Sequence, residues 1–188
     1  MAFRVHIKLL WLAVPFVGIG MTGGDDLVKT KISEGITVVL PAELKAMTPE
    51  DLAQRFPSVR APLGAFTDAD RLIDFSVNVS ATQWPDENLD IARKFFKAGI
   101  YHLYDRIELI DEGIHEVHKK KFIYFEFISR LNSVKLMEGT QPAILHYTFI
   151  QYLVEPGRAL VFSFSCPKDQ QERWQPRAQA IMKSVKMK

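Results

Sequence analysis

The sequence predicts an α+β fold, an α/β/α sandwich around a six- to seven-stranded, mainly antiparallel sheet. Three observations carry this prediction. Long apolar segments in the second half of the chain are separated by short turn signals, which is typical of strands joined as hairpins. Amphipathic helical segments are available to cover the sheet. The 188 residues are 47% hydrophobic and include 13 Phe, which suffices for one domain with a packed core.

The first third of the chain predicts a strand, a short helix and a hairpin. Residues 35–41 (GITVVLP) form an apolar run that ends at a proline, as many strands do. Thr48 can cap a helix, Pro49 suits its first position, and Asp51 completes a capping box. Apolar and polar residues alternate in LIDFSVNVS after the turn-like segment TDADR. Residues 59–80 therefore predict a hairpin with one buried face.

The long helix is predicted for residues 85–105. Acidic residues cluster near its start and basic residues come later, which matches the helix dipole. Apolar residues recur at helical spacing, so one stripe of the helix is expected to face the core. That stripe contains Leu89, Ala92, Phe96, Ile100 and Leu103, and is widened by Ile91 and Phe95.

Four strands and a closing helix are predicted for the second half of the chain. The strands are residues 106–113, 121–131, 143–154 and 158–166. The first pair flanks the turn-like segment HEVHKK, and the second pair flanks Glu-Pro-Gly, a turn signature. The closing helix is expected to be kinked or restarted near Pro176. Its apolar stripe consists of Trp174, Ala178, Ile181, Met182 and Val185.

The sheet is expected to be central and covered on both sides. Residues 122–128 are apolar on both strand faces apart from Glu126, which is typical of a strand with a layer on each side. We expect residues 122–128, 147–153 and 160–166 to lie side by side.

Residues 1–20 have the pattern of a secretory signal peptide. Arg4 and Lys8 form a short basic start, an uncharged apolar run follows, and a Gly-Ile-Gly tripeptide offers small residues for cleavage. The apolar run is too short for a membrane span, and an uncleaved N-terminal anchor is the alternative. Residues 21–30 are expected to be a flexible entry and residues 31–188 the single domain. These features predict a periplasmic or secreted protein.

The charge content argues against a nucleic-acid-binding protein, and the cysteine content argues against a domain stabilised by disulfides. The chain has 24 Lys and Arg against 22 Asp and Glu, and two of the basic residues lie in the leader. The remaining chain is formally neutral, which does not suit nucleic-acid binding because that depends on clustered basic residues. The single cysteine allows no internal disulfide, so an exported domain must be held together by its core.

Two strings resemble the PsbP/Mog family. GITVVLPAELKAMTPEDL resembles its opening strand, proline and helix, and VFSFSCPKDQQERWQPRAQAIMKSVK resembles its closing strand, SCP corner and tail helix. The family includes an extrinsic photosystem II subunit, a Ran-GTPase partner, DcrB-like periplasmic lipoproteins and chaperones of secretion-system effectors. The resemblance therefore implies an α/β/α sandwich that binds proteins or assists assemblies. The lipobox cysteine of the lipoprotein members is missing here, and the resemblance carries over no catalytic residue.

Cys166 is the single cysteine and the first candidate for chemistry. A helix start follows it and Lys168 is close by, a setting that can activate a thiol. Phe162 and Phe164 lie on the same strand face, and a cysteine in such a row usually acts as a small core residue. We interpret Cys166 as part of the core.

His115 and His118 lie beside Asp111 and Glu112, and these residue types can ligate a metal. The segment falls at a hairpin end, where residues three apart on a strand face opposite sides, and it is not the HExxH zinc motif. The preferred interpretation is a solvated turn, with the KKK segment of residues 119–121 also on the surface.

Glu126 is the third candidate, because a carboxylate buried in an apolar strand must be paired or protonated and can mark an active site. The preferred interpretation is structural, an ion pair with Arg130 or an exposed edge position. His146 and His102 are likewise interpreted as structural residues rather than general bases.

The function predicted from these observations is that of an exported, non-enzymatic accessory or binding module. Its expected partner is an envelope or periplasmic protein, with peripheral membrane association as a further option and no cofactor. The sequence has no Gly-x-Ser-x-Gly, Walker or Cys-x-x-Cys motif, and no catalytic residue is assigned. Two alternatives stay open. One is a small-molecule or lipid carrier with a cavity between sheet and long helix, and the other is a metal-dependent hydrolase that uses the His115/His118 region.

Overall fold

The computed structural model describes residues 26–57, 60–80, 82, 84, 88–131 and 144–188. The leader predicted for residues 1–20 lies outside them. The strands are β1 (Leu27–Ser33), β2 (Ile36–Pro41), β3 (Lys45–Ala46), β4 (Gly64–Thr67), β5 (Asp74–Val79), β6 (Arg106–Val117), β7 (Lys120–Leu131), β8 (Ile144–Glu155), β9 (Arg158–Pro167) and β10 (Lys186–Met187). The helices are α1 (Pro49–Arg55), α2 (Leu89–Leu103), α3 (Gln171–Lys183) and the short 3-10 helix η1 (Lys168–Gln170).

The main sheet has seven antiparallel strands in the order β3-β4-β5-β9-β8-β7-β6. Its centre confirms the predicted neighbours, because Phe125 pairs with Ile150 and Phe149 pairs with Phe164. The predicted hairpin between β4 and β5 is also present. Short turns join β6 to β7 and β8 to β9, so these strands form hairpins as their spacing indicated.

Helices cover the two faces of this sheet. On one face, α3 packs its buried Trp174, Ala178, Ile181 and Met182 against the core of β7, β8 and β9. On the other face, α2 contributes the buried Ala92, Phe96 and Ile100. Residues on β7 alternate between these two layers, since Phe122 belongs to the first and Ile123 to the second. The predicted sandwich is confirmed.

A second, three-stranded sheet in the order β1-β2-β10 was not predicted. The segment predicted as the opening strand, now β2, belongs to this small sheet and packs its buried Val38 and Leu40 into the same core as α3. Ser184 Oγ, at the end of α3, accepts a hydrogen bond of 2.9 Å from Val39 N. Strand β1 includes residues 27–30, which had been assigned to the flexible entry, because these residues pair with residues 38–41 of β2 in an antiparallel ladder.

Three local predictions have clear outcomes. The capping box of α1 is confirmed, with Thr48 and Asp51 each accepting a hydrogen bond from the other's backbone. The β6–β7 turn is shorter than predicted, because pairing with β7 extends β6 to Val117. Helix α3 continues through Pro176 rather than restarting there. None of the described helices has the length and hydropathy of a membrane-spanning segment.

Ile181→Ala should lower the free energy of unfolding by about 2–5 kcal/mol, because the lost side chain leaves a cavity between α3 and the sheet. Ile181 is 2% exposed. The matched control is Ile91→Ala on α2, where the side chain is 51% exposed and the loss should stay below about 1 kcal/mol. Urea denaturation followed by circular dichroism measures both, and equal losses would contradict the orientation of the two helices.

Candidate functional site

Cys166 lies near the end of β9 and is fully buried. Its strand neighbour on β8 is Tyr147, and it belongs to the core beneath α3. Burial raises the pKa of the Cys166 thiol from 9.0 to about 12, and the charge of Asp169 adds to the shift. The interpretation as a core residue is confirmed. A buried, neutral thiol is a poor nucleophile.

The two histidines of the predicted metal region do not share a site. His115 lies in β6, half-buried, with its ring stacked on Tyr124 at 4.6 Å and its Nε2 3.1 Å from Gln151 Oε1. Burial lowers the pKa of His115, against the opposing effect of the Gln151 hydrogen bond. His118 is an exposed turn residue, as the preferred interpretation had it. His115, by contrast, was wrongly placed in that turn.

Asp111 and Glu112 are likewise separated, because successive strand residues point to opposite faces. Asp111 accepts a hydrogen bond of 2.9 Å from Tyr124 Oη. Glu112 faces α2, where Lys97 Nζ lies 2.9 Å from its Oε1. The described residues contain no group of three or more His, Cys, Asp or Glu side chains that could hold a metal ion.

Glu126 is buried, and its partners are not the predicted ones. Its carboxylate accepts a hydrogen bond of 2.9 Å from Tyr147 Oη and further bonds from Gln175 Nε2 and, at 3.2 Å, Gln179 Nε2. The expected ion pair with Arg130 is not formed, because that side chain is exposed at the strand end. The network joins β7 and β8 to α3. Burial and the Glu126 charge raise the pKa of Tyr147, so this phenol stays a donor.

The remaining two histidines occupy different surroundings. His146 is half-buried in β8, and burial lowers its pKa despite the nearby charge of Asp74. Its ring has no hydrogen-bond partner among the described residues. His102 is exposed in the last turn of α2. His146 lies opposite Ser129 of β7 in the strand register, and Ser129 Oγ donates a hydrogen bond of 3.5 Å to the His146 backbone oxygen.

The apolar stripe of α2 is narrower than predicted. Ile91, Phe95 and Leu103 are 51%, 47% and 70% exposed, because the helix contacts the sheet only along its central line. Phe96 fills that contact and stacks on Tyr152 at a ring distance of 4.1 Å. The exposed Phe95 lies beside Trp84, with ring centroids 5.5 Å apart. An aromatic, apolar surface therefore remains open on the outer side of α2.

This apolar surface adjoins a cleft of ≈ 810 Å³, a volume within the range of ligand-binding clefts. We call it the lysine cleft. Its apolar lining residues are Trp84, Leu89, Leu153, Val154 and Pro156. Its charged lining residues are Lys119, Lys120, Lys121, Arg158 and Glu155. The turns of the β6–β7 and β8–β9 hairpins and the start of α2 bring these residues together.

The lysine cleft carries excess positive charge. Arg158 pairs with Glu155 through a contact of 2.6 Å. Across the part of the chain that the structure describes, no ion pair joins Lys119, Lys120 or Lys121 to an acidic side chain. The sequence had placed these lysines on the surface without assigning them a role. The feature of the sequence that could have indicated this cleft was the run of three successive lysines at a predicted turn.

The turn that presents the lysines has an unfavourable backbone conformation. His118 and Lys119 have φ of 48° and 67°, the left-handed values of a two-residue type I′ hairpin turn. Asn and Gly adopt this turn most readily, and other residues are strained in it. A lysine at this position therefore costs stability while adding charge to the cleft.

Two solved structures share the architecture at low sequence identity. Cyanobacterial PsbP (CyanoP) from Synechocystis is 14% identical over 93% of this chain and 100% of its own, with a TM-score of 0.57. The Ran-binding protein Mog1p of Saccharomyces cerevisiae is 11% identical over 86% of this chain and 95% of its own, with a TM-score of 0.54. The chain has the PsbP/Mog fold. Neither a protein-family model nor a curated protein sequence matches it.

The PsbP/Mog fold confirms the resemblance that the two sequence strings indicated. At these identities the likeness concerns the fold, and function must be argued from the surface of this chain. The described candidates for catalysis lie apart from one another. The lysine cleft is the feature in which geometry, charge and exposed apolar surface coincide.

Cys166 should resist alkylation by iodoacetamide at about pH 8 in the folded protein and react fully in concentrated guanidinium chloride. Because folding raises the thiol pKa from 9.0 to about 12, the stability gained by keeping the thiol neutral is present below about pH 9 and lost as pH rises. Between about pH 8 and 10, the wild type should lose about 1 kcal/mol more than Cys166→Ala. Parallel pH curves for the two proteins would contradict this.

Lys119→Gly should raise the free energy of unfolding by about 1 kcal/mol, because glycine adopts the positive φ of this turn without strain. The control is Lys120→Gly, one residue farther on at the start of β7, where glycine should lower stability by about 0.5–1 kcal/mol. Chemical denaturation measures both variants. A Lys119→Gly protein that is less stable than the wild type would show that the turn is not strained.

Proposed function

We propose that this PsbP/Mog-fold protein is an exported, non-enzymatic binding module that holds an acidic, partly apolar segment of an envelope protein in the lysine cleft. The observation that carries the proposal is the set of lysines without acidic partners among the described residues, beside exposed apolar side chains. Mog1p, which shares the fold, is a Ran-binding protein, and a protein-binding role here is consistent with that.

Charge complementarity identifies the chemistry of the partner. Four basic residues and one acidic residue line the cleft, whereas the chain as a whole is close to balance, with 24 basic and 22 acidic residues. Such a local excess accelerates encounter with an oppositely charged surface and disfavours basic partners. An acidic segment would supply the counter-charges that Lys119, Lys120 and Lys121 lack within the described chain.

The apolar part of the surface supplies the anchor. Trp84 lines the cleft and also contacts Phe95, so the cleft continues onto the outer side of α2. Aromatic side chains such as tryptophan are typical of the residues that dominate binding energy at protein interfaces. Ile91, half-exposed on the same side of α2, extends the surface. The partner segment is therefore expected to carry an apolar residue near its acidic ones.

The alternative functions have less support. For a hydrolase, the geometry gives His115, His118 and Cys166 no common site. For a carrier, the stacked Phe96 and Tyr152 rings occupy the space between α2 and the sheet where a cavity was expected. Export is inferred from the leader pattern of residues 1–20, and it places the partner in the periplasm or envelope. An anionic membrane surface is the competing occupant of the cleft.

A pull-down from envelope extract with Lys119→Glu/Lys121→Glu tests the proposal. Reversing both charges should reduce recovery of the wild-type partner about tenfold or more, and added salt should weaken wild-type recovery. The control is Lys29→Glu/Lys31→Glu, which reverses two exposed charges on β1. Equal recovery by both double variants would contradict the cleft as the binding surface. Binding to phosphatidylglycerol vesicles with no protein specifically recovered would assign the cleft to the membrane instead.

A further inference from the structure

A second basic cleft lies at the opposite end of the β6–β7 hairpin, independent of the proposed function. Its volume is ≈ 240 Å³, and its lining includes Arg106, Arg130 and Lys168 with a single acidic residue, Glu108. The eleven residue steps of β6 between Arg106 and the turn correspond to roughly 35 Å. This arginine cleft is therefore separate from the lysine cleft.

The two arginines lie directly opposite each other on adjacent strands. Arg106 of β6 and Arg130 of β7 are direct partners in the strand register, so their Cβ atoms are about 4.5–5.5 Å apart. Like charges directly opposite one another destabilise a strand pair. Within the described ranges, no acidic side chain forms an ion pair with Arg106, Arg130 or Lys168. Among the described residues, this cluster of cations thus has no ion-pairing partner, and Glu108 is its one acidic lining residue.

The surrounding elements hold this cluster in place. Both arginines belong to long strands, and Asp105 N donates a hydrogen bond of 3.2 Å to Arg130 O at the end of the ladder. Lys168 starts the 3-10 helix η1 directly after β9. Ile128, 6% exposed, lines the cleft from the sheet. Cationic groups on strand ends are better positioned for a specific ligand than groups on loops.

The residue types and the size define the ligand class. Guanidinium groups bind oxyanions through paired N–H donors, which a lysine cannot do. Two such groups and an ammonium group suit an anion with several oxygens and more than one negative charge. The volume lies below the range of about 300–1,000 Å³ that drug-sized ligands occupy. A phosphate-sized group fits these limits.

We propose that Arg106, Arg130 and Lys168, brought together where β6, β7 and η1 meet, form a binding site for a phosphate group. The group can be inorganic phosphate or the headgroup of an anionic lipid, since both present the same oxyanion to the arginines. Binding removes the repulsion between the opposed guanidinium groups, so the occupied protein is more stable than the empty one.

Titration of the full chain with inorganic phosphate, followed by calorimetry and by the unfolding midpoint at ionic strength matched with chloride, tests the site. We expect saturable binding and a rise of the midpoint with phosphate only. Arg106→Gln/Arg130→Gln should bind at least about tenfold more weakly, and Arg106→Lys/Arg130→Lys should also bind more weakly because it keeps the charge but loses the paired donors. The matched control, Lys29→Gln/Lys31→Gln, removes two exposed charges on β1 outside both clefts and should bind like the wild type.

A vesicle arm distinguishes the two sources of the phosphate group. Co-sedimentation with phosphatidic acid vesicles, compared with phosphatidylcholine vesicles, detects a headgroup ligand, and the arginine variants should lose it. Because removal of opposed like charges relieves repulsion, Arg106→Gln/Arg130→Gln should fold normally by circular dichroism. The proposal is overturned if neither probe binds, if the arginine variants bind as the wild type does, or if the lysine control loses binding equally.

Discussion

Burial of both faces of the β7–β8–β9 region is the constraint on which the rest of the structure depends. Phe122 and Phe162 on one face and Phe125 on the other are at most 1% exposed. A sheet that is apolar on both faces needs a layer on each side, and α3 and α2 supply these layers. The buried Glu126 carboxylate then fixes where α3 lies, since it accepts hydrogen bonds from both Tyr147 and Gln179.

Because helices cover both faces of the sheet, surface for binding remains mainly at strand ends and helix flanks. The lysine cleft and the arginine cleft lie at the two ends of the same hairpin. Elsewhere some charged groups are paired, as Asp51 is with Arg71 at 2.8 Å and Glu112 is with Lys97 at 2.9 Å. Each of the two clefts brings several cations together with a single acidic lining residue. This distribution, on a chain of nearly balanced charge, is more typical of binding surfaces than of a catalytic centre.

Parts of the fold and of the site were predictable to different degrees. The central strands followed from continuous apolar runs, and the start of α1 followed from Thr48 and its neighbours, because both depend on residues close in sequence. The partners of Glu126 could not be predicted in this way. Gln175 is 49 residues away in the sequence and reaches the Glu126 carboxylate only when α3 packs against the sheet. The exposure of Phe95 was missed because helical spacing shows which residues share a face but not how much of that face the sheet covers.

The sequence by itself determined the antiparallel sandwich, the core role of Cys166 and the surface position of the lysines, because periodicity and turn chemistry act over a few residues. Only the tertiary structure decided that β2 belongs to the smaller sheet and not to the main one. It also decided that Arg106 lies opposite Arg130 and that the lysines lie beside Trp84. These arrangements depend on strand order and register. Strand order is set by the packing of segments distant in sequence, and the pairing of Arg106 with Arg130 depends on a register shift between Leu109 and Asp111 that turn geometry does not encode.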